Sequence, residues 1–359
     1  YSYQKHNIIP DLLKTMYRPI YGANASGKSN FVNAYLCFLS LVSSSFQPKR
    51  SNEKESVLET YYRPYLFEDS SANGNTEFEA IFHKDGIEYK YGFIYNKSRI
   101  EYEWLYKKTL ASSRQSTIIE RSPTKCSLGR SVKNSCEKFV ENLDEEVLAL
   151  SFFSSLKLKT PVFINTMMCI QDILPLRMTC SREIEDTLKY YFSNFNEKEK
   201  TSLMKFLNAI DVGIKDVSVE KNDNKLAVYT YHVGSDGKQR RVSFDIESDG
   251  TKKAISVYCY IRIAARYGRG LIIDELNMQL HPLLLKYIID IIYKSRHGAQ
   301  LIYTTHDTTL LNRKYMRRDQ IWFANKNDAG ESELYSLAEF KVRNDESFEK
   351  AYLGGAYGA

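Results

Sequence analysis

Residues 21–30, YGANASGKSN, separate Gly22 by four residues from the run Gly27-Lys28-Ser29. Each residue type at this spacing suits one part of a bound polyphosphate. The two glycines let the backbone curl until successive N–H groups converge on phosphate oxygens. Asn24, Ser26 and Asn30 add polar groups around the same curl. Lys28 would reach the β- and γ-phosphates, and the Ser29 hydroxyl would ligate Mg²⁺. A second set of residues supplies hydrolytic chemistry. GLIIDEL, residues 270–276, ends an apolar run in Asp274-Glu275. Asp274 would hold Mg²⁺ through water, and Glu275 would polarise an attacking water. A third run, AQLIYTTHD, ends in Thr304-Thr305-His306-Asp307, where an imidazole at a strand end would sense a γ-phosphate.

These residues need strands and helices to aim them. MYRPIYG, before the loop, reads as a short strand, although Pro19 argues against a central position. After the loop, Phe31, Tyr35, Phe38 and Val42 recur at helical spacing, so the loop opens a helix whose N-terminus faces the phosphates. GLIID and AQLIYTT are continuous apolar runs, the pattern of buried parallel strands whose C-terminal ends carry ligand-binding groups. Between them, HPLLLKYIIDIIYKSRHG predicts a crossover helix burying Leu284, Ile288, Ile291 and Ile292 and ending at Gly298.

The remaining chain predicts an antiparallel β lobe of three strands over residues 76–120, with turns at Lys84-Asp85-Gly86 and Asn96-Lys97-Ser98. Residues 136–210 read as a helical insertion, with Ile184, Leu188, Tyr191, Phe192 and Phe195 on one face and Leu203, Phe206, Leu207 and Ile210 on another. Beyond it comes a hairpin turning at Gly234-Ser235-Asp236-Gly237. The expected division is 1–135 for the first part of the head, 136–210 for the insertion and 211–359 for the second part.

At 359 residues and 43% hydrophobic residues, the chain can bury a large core. The 6 cysteines form no Cys-x-x-Cys pair, which argues against a zinc site or dithiol motif and for reduced thiols in the cytoplasm. No apolar run of membrane-spanning length occurs, so no membrane role is expected. The net charge of +6 is mild, and the basic clusters KQRR (238–241) and RKYMRR (313–318) read as solvated faces before they read as a DNA surface. The chain starts at Tyr1 and not at Met, which leads us to expect further residues upstream.

The phosphate loop, then ESDGTKK (247–253), LIIDEL, LHP and TTHD, in that order, resembles the ABC-type ATPase heads related to RecF and the SMC proteins. Among them it is most similar to the ATPases of abortive-infection and anti-phage systems, the Septu, PARIS and OLD-like subunits. The resemblance spans Tyr17 to about Asn325 and implies an α/β P-loop NTPase fold with a mostly parallel core sheet, an antiparallel β lobe and a helical insertion. It implies ATP and Mg²⁺ as ligands, Glu275 and His306 as catalytic residues, and Ser29 and Asp274 at the metal. It also implies that Ser248, Gly250 and Thr251 form a signature acting on ATP held by another subunit, so the chain would work as a homodimer or larger homo-oligomer. Leu276 to His281 would be the loop crossing that interface. The chain departs from the family pattern at Asn277, where an acidic residue is expected, and at Gln279, where a small one is. In the systems it resembles, the ATPase controls a separate toxin or nuclease effector. The alternatives are a DNA-binding repair ATPase and the ATPase part of an OLD-like nuclease. The 53 residues after His306 (359 minus 306) leave no room for a nuclease domain.

Overall fold

The computed structural model describes residues 17–46, 56–112, 114–158, 160–177, 188–210, 212–222, 225–276, 282–295, 297–343 and 346–358. They divide into two units, one of residues 1–32 and 174–359, the other of residues 33–173. The strands, in chain order, are β1 (Tyr17–Tyr21), β2 (Thr76–Lys84), β3 (Ile87–Tyr95), β4 (Ile100–Thr109), β5 (Ser116–Ser122), β6 (Lys125–Leu128) and β7 (Ile173–Arg177). After these come β8 (Asp216–Asn222), β9 (Lys225–Val233), β10 (Gln239–Ser243), β11 (Gly270–Asp274), β12 (Gln300–Thr304), β13 (Trp322–Lys326) and β14 (Ser332–Ser336).

The first unit is built on a six-stranded sheet of order β14-β13-β1-β12-β11-β7. β12 pairs in parallel with both β1 and β11, and β1 pairs in parallel with β13; β13 and β14 form an antiparallel edge. The fold is α/β with a mostly parallel core sheet. The apolar runs behave as expected of strands covered on both faces: Leu271, Ile273, Leu301, Tyr303 and Phe323 are fully buried. β1 is central in spite of Pro19. Thr305 N–H donates to Ile20 O, so the backbone groups of Ile20 face β12 and those of Pro19 face the other side. Pairing with β13 begins only at Ile20, so the N–H that proline lacks is not needed by the ladder.

The crossover helix, Pro282–Tyr293, buries Ile288 and Ile292 completely and Leu285 nearly so, whereas Ile291 is half-buried. It ends at Tyr293 and not at Gly298, whose φ of 73° belongs to the turn beyond. The helix Asp249–Tyr267 is buried on most of its surface through Ile255, Val257, Tyr258, Cys259, Ile261 and Ala264. Gly268 stops it: at φ 67° its N–H donates to Ala264 O, and a Cβ there would lie 2.3 Å from His297 O. A three-stranded antiparallel sheet, β10-β9-β8, contains the expected hairpin and adds β8, which the sequence pattern did not reveal.

The second unit carries a five-stranded antiparallel meander, β2-β3-β4-β5-β6, in place of the three strands expected. β5 escaped notice because Ile118 and Ile119 are both fully buried, which breaks the period-two pattern. The register slips between Leu105 and Tyr106 across from them, a bulge that turns two successive side chains inward. Glu103, fully buried, accepts from the backbone N–H of Ala149 at 2.6 Å and of Leu150 at 2.9 Å, capping the helix Ala149–Ser155. The span 136–210 is not one body. Its first part belongs to this unit and includes the helix Val162–Gln171. Its second part belongs to the first unit, where β7 extends the core sheet and the helix Glu197–Ala209 stacks Phe206 on Tyr258 at 4.5 Å. Tyr191, Phe192, Leu203 and Leu207 are buried as their spacing predicted, and Ile184 lies outside the described residues.

Candidate functional site

The parallel strands β1, β11 and β12 end together, at Tyr21, Asp274 and Thr304, and the segments leaving these three ends form the site. After β1, the chain turns through Gly22 to Gly27 into the helix Lys28–Ser44. Gly22 lies so close to β13 that a Cβ on it would be 2.4 Å from Ala324 O, and one on Gly27, at φ 104°, would be 2.3 Å from Ser332 Oγ. Both positions therefore require glycine, for space as well as for conformation. Phe31 N–H donates to Gly27 O, the first bond of the helix, so the N–H groups of Lys28, Ser29 and Asn30 are the unpaired donors of its first turn. These donors and the helix dipole favour an anion.

Lys28 folds back over the loop, and its Nζ donates to Gly22 O and Ala23 O, at 2.7 Å each. An ammonium has three donors, so one remains for a ligand. Burial holds its pKa below the ordinary lysine value, an effect opposed by the carboxylates of Asp274 and Glu275. Ser26 Oγ is buried without a hydrogen-bond partner in the protein. A buried hydroxyl left unpaired by the protein, beside a curled, glycine-dependent loop, fits an oxygen-rich ligand. Asn24 and Asn30 are exposed.

Thr304 ties the other two strand ends together. Its hydroxyl donates to Asp274 Oδ1 at 2.6 Å and accepts from Glu275 N–H at 2.7 Å, and its carbonyl accepts from Leu276 N–H. Ser29 Oγ donates to the same Asp274 oxygen at 3.3 Å. A hydroxyl from the loop and a carboxylate from β11 thus stand at hydrogen-bond distance, the donor pair that Mg²⁺ takes in phosphate-loop enzymes, with the remaining positions left to water and phosphate. Among the described residues no cluster of three or more His, Cys, Asp or Glu offers an alternative metal site. Glu275 has φ 53°, a left-handed conformation unusual for a side-chain-bearing residue, and the two bonds to Thr304 hold it there. His306 lies two residues beyond the end of β12 and is exposed. Partial burial, then the charge of Lys28, push its pKa below the ordinary value, while Glu275 pulls it up. The neutral form of its imidazole is thereby favoured.

The site has supports that the sequence did not disclose. The sequence pattern marks Thr304 only as part of a strand end. Glu349, on the short helix Phe348–Leu353, accepts from Thr308 Oγ1 at 2.8 Å, just beyond His306. The Tyr352 ring on that helix stacks on Phe323 at 5.5 Å and packs against Tyr21, the residue before Gly22, at 5.8 Å. No local pattern marks these residues, because their partners lie far away along the chain.

Ser248 caps the helix Asp249–Tyr267, accepting from Thr251 N–H at 3.1 Å, with the Thr251 hydroxyl 2.8 Å away. Ser248 is exposed, Gly250 is half-buried and Thr251 is buried. No hydrogen bond among the described residues joins these three to the phosphate loop. Asn277, Gln279 and the rest of 277–281 lie outside the described residues. In the basic clusters, Arg240, Arg241 and Arg317 each lie 2.8 Å from a carboxylate, of Asp236, Glu220 and Asp319. No described helix is long and apolar enough to cross a membrane, and the five described cysteines are free.

A family model described as "AAA domain, putative AbiEii toxin, Type IV TA system" matches residues 20–137 and 181–312, more than half of the chain. Similar solved structures include an SMC head bound to the C-winged helix domain of ScpA, at 15% identity, TM-score 0.42, covering 94% of this chain and 92% of that one. The SMC head domain from Thermotoga maritima is similar at 12% identity and TM-score 0.41, with 91% and 90% covered. The Smc head domain with a coiled coil and joint from Pyrococcus yayanosii is similar at 12% identity and TM-score 0.43, with 96% and 95% covered. No curated protein matches the chain.

Proposed function

The chain belongs to this family of AAA domains, and on that premise we propose that it is the ATP-driven switch of an abortive-infection system. It binds Mg-ATP between two head-to-tail copies in the cytoplasm, hydrolyses it slowly, and so controls a separate toxin or nuclease. The observation that supports the reading is the bonded series Ser29–Asp274–Thr304–Glu275, which brings a hydroxyl and a carboxylate suited to Mg²⁺, and a second carboxylate suited to a base, beside a phosphate-sized curl of backbone.

In this mechanism the loop N–H groups and Lys28 bind the phosphates, and the hydroxyl of Ser26 gains the partner it lacks. Ser29 and Asp274 would hold Mg²⁺, which neutralises charge on the β- and γ-phosphates. Glu275 takes a proton from the in-line water. Neutral His306 hydrogen-bonds the γ-phosphate without adding a charge to the resting site. The partner subunit's Ser248, at an exposed helix N-terminus, completes the γ-phosphate cage. The ion-paired arginines of both basic clusters give the DNA-repair alternative no support.

The test is complementation between chains. Lys28→Ala and Ser248→Arg are each expected to be inactive. A mixed dimer rebuilds one complete site, with Lys28 from one chain and Ser248 from the other, and hydrolysis should return to about one working site per pair. Verified mixed dimers that stay inactive would refute a site shared between subunits.

A further inference from the structure

Glu247 directly precedes Ser248, and the mechanism above gives it no role. Its side chain is only 8% exposed. Oε1 accepts a hydrogen bond from the Thr230 hydroxyl and another, at 2.7 Å, from His232 Nε2. Both donors lie on β9, two residues apart and so on the same face of the strand. Thr230 is fully buried, and its hydroxyl also lies 3.4 Å from Val242 O on β10. A carboxylate can only accept, so His232 carries a proton on Nε2. The Glu247 backbone N–H donates to Phe244 O, closing the short 3₁₀ turn that precedes it.

The consequence is a turn fixed from both sides. Glu247 is tied to the three-stranded sheet, and Ser248 is tied by its cap to the helix Asp249–Tyr267. What the turn presents is open: Ile246 is 75% exposed and the Asp249 side chain 88%. Withdrawing a carboxylate from water against one imidazole and one hydroxyl is a poor way to gain stability. A polar network of this kind, with the carboxylate buried and the His232 side chain 32% exposed, does something else well, since its directional bonds favour one geometry. Here the geometry so favoured is that of Ser248 to Gly250.

We propose that His232, Glu247 and Thr230 are positioning residues that set the signature turn for hydrolysis of the nucleotide held by a second copy of the chain. The inference rests on the two-subunit reading above. The carboxylate never touches ATP; it acts through the turn, so its loss should leave nucleotide binding intact and impair turnover. Displacement of a catalytic group by about 1 Å can lower rate about 100-fold.

The experiment uses the full chain. Glu247→Ala should keep Mg-ATP affinity within about 3-fold by calorimetry while kcat falls roughly 10- to 100-fold. Glu247→Gln, whose amide oxygen accepts both bonds, should recover most of kcat. His232→Ala, which removes one of the two, should fall between. Mixed with Lys28→Ala, the Glu247→Ala chain should regain turnover, because one site then combines its own Lys28 with the Glu247 of the other chain. Wild-type kcat in Glu247→Ala, or failure of this mixture while the Ser248→Arg mixture recovers, overturns the inference and leaves the shared site standing. Failure of both mixtures overturns the shared site and the inference with it. If Glu247→Ala does not fold, Glu247→Gln and His232→Ala decide: equal losses of affinity and kcat in His232→Ala would also overturn it.

Discussion

Replacing Thr304 by valine removes one oxygen and almost no volume, and on the proposed mechanism it should separate Asp274 and Glu275 from their support. Thr304 is fully buried, so nothing replaces its hydroxyl. Two bonds vanish: the donor to Asp274 at 2.6 Å and the acceptor for Glu275 N–H at 2.7 Å. The first is charge-assisted, a class that contributes about 1.5–3 kcal/mol, and the second leaves a backbone donor unpaired at about 1–3 kcal/mol. Glu275 adds a third effect. At φ 53° it stores about 1–3 kcal/mol of backbone strain, and the bond from its N–H to Thr304 is one of the two restraints that hold it there. Relaxation toward an ordinary conformation swings the carboxylate away from the water it must polarise. Misplacement of a general base forfeits about 100-fold or more in rate. The expected result is kcat lowered roughly 10- to 100-fold, an ATP dissociation constant changed by less than about 3-fold, and a melting temperature lowered by a few degrees. Steady-state phosphate release, ATP titration calorimetry and thermal melts read the three quantities. Thr304→Ser restores the hydroxyl and should restore turnover. A valine variant that melts earlier but turns over at the wild-type rate would refute the reasoning, because Thr304 would then support the fold and not the carboxylates.

Four further outcomes rest on the same geometry. Lys28→Ala should weaken ATP binding at least about 100-fold in calorimetry, since it deletes a charge-assisted donor together with the bonds that brace Gly22 and Ala23. Glu275→Gln should bind ATP normally, lose at least about 100-fold in hydrolysis and accumulate as the ATP-bound pair in size-exclusion chromatography, because an amide is no base. Gly27→Ala should bind no ATP, and Ser332→Gly should fail to rescue it: the second change clears the Cβ contact but not the φ of 104°. His306 has a folded pKa below its ordinary 6.5, so as pH falls below 6.5 the unfolded chain takes up a proton before the folded one does and stability drops. Thermal melts of His306→Gln between about pH 7.5 and 5.5 should therefore show a shallower decline than the wild type.

What could be read along the chain was whatever depends on short spacing. The loop glycines, Lys28 and Ser29 all lie within residues 22–29 and act through the backbone they share, so their pattern is local and complete. The apolar runs that end at Asp274 and Thr304 announce buried strands because both faces of such strands must be covered. The same reasoning failed where burial was decided by a distant neighbour. Pro19 lies in a central strand because β13 begins its pairing one residue later, a register that no property of residues 17–21 contains. Ile118 and Ile119 are both buried because a bulge across the ladder makes room for them. The span 136–210 divides between two units because β7 finds its place on the edge of a sheet whose other strands come from both ends of the chain. Thr304 between the Asp274 carboxylate and the Glu275 backbone, Tyr352 against Tyr21 and Phe323, and the bonds from β9 to Glu247 belong to this second class. A side chain's type states what it can bond, but the partner is chosen by which strands lie side by side, and that choice is made by the burial of the whole core.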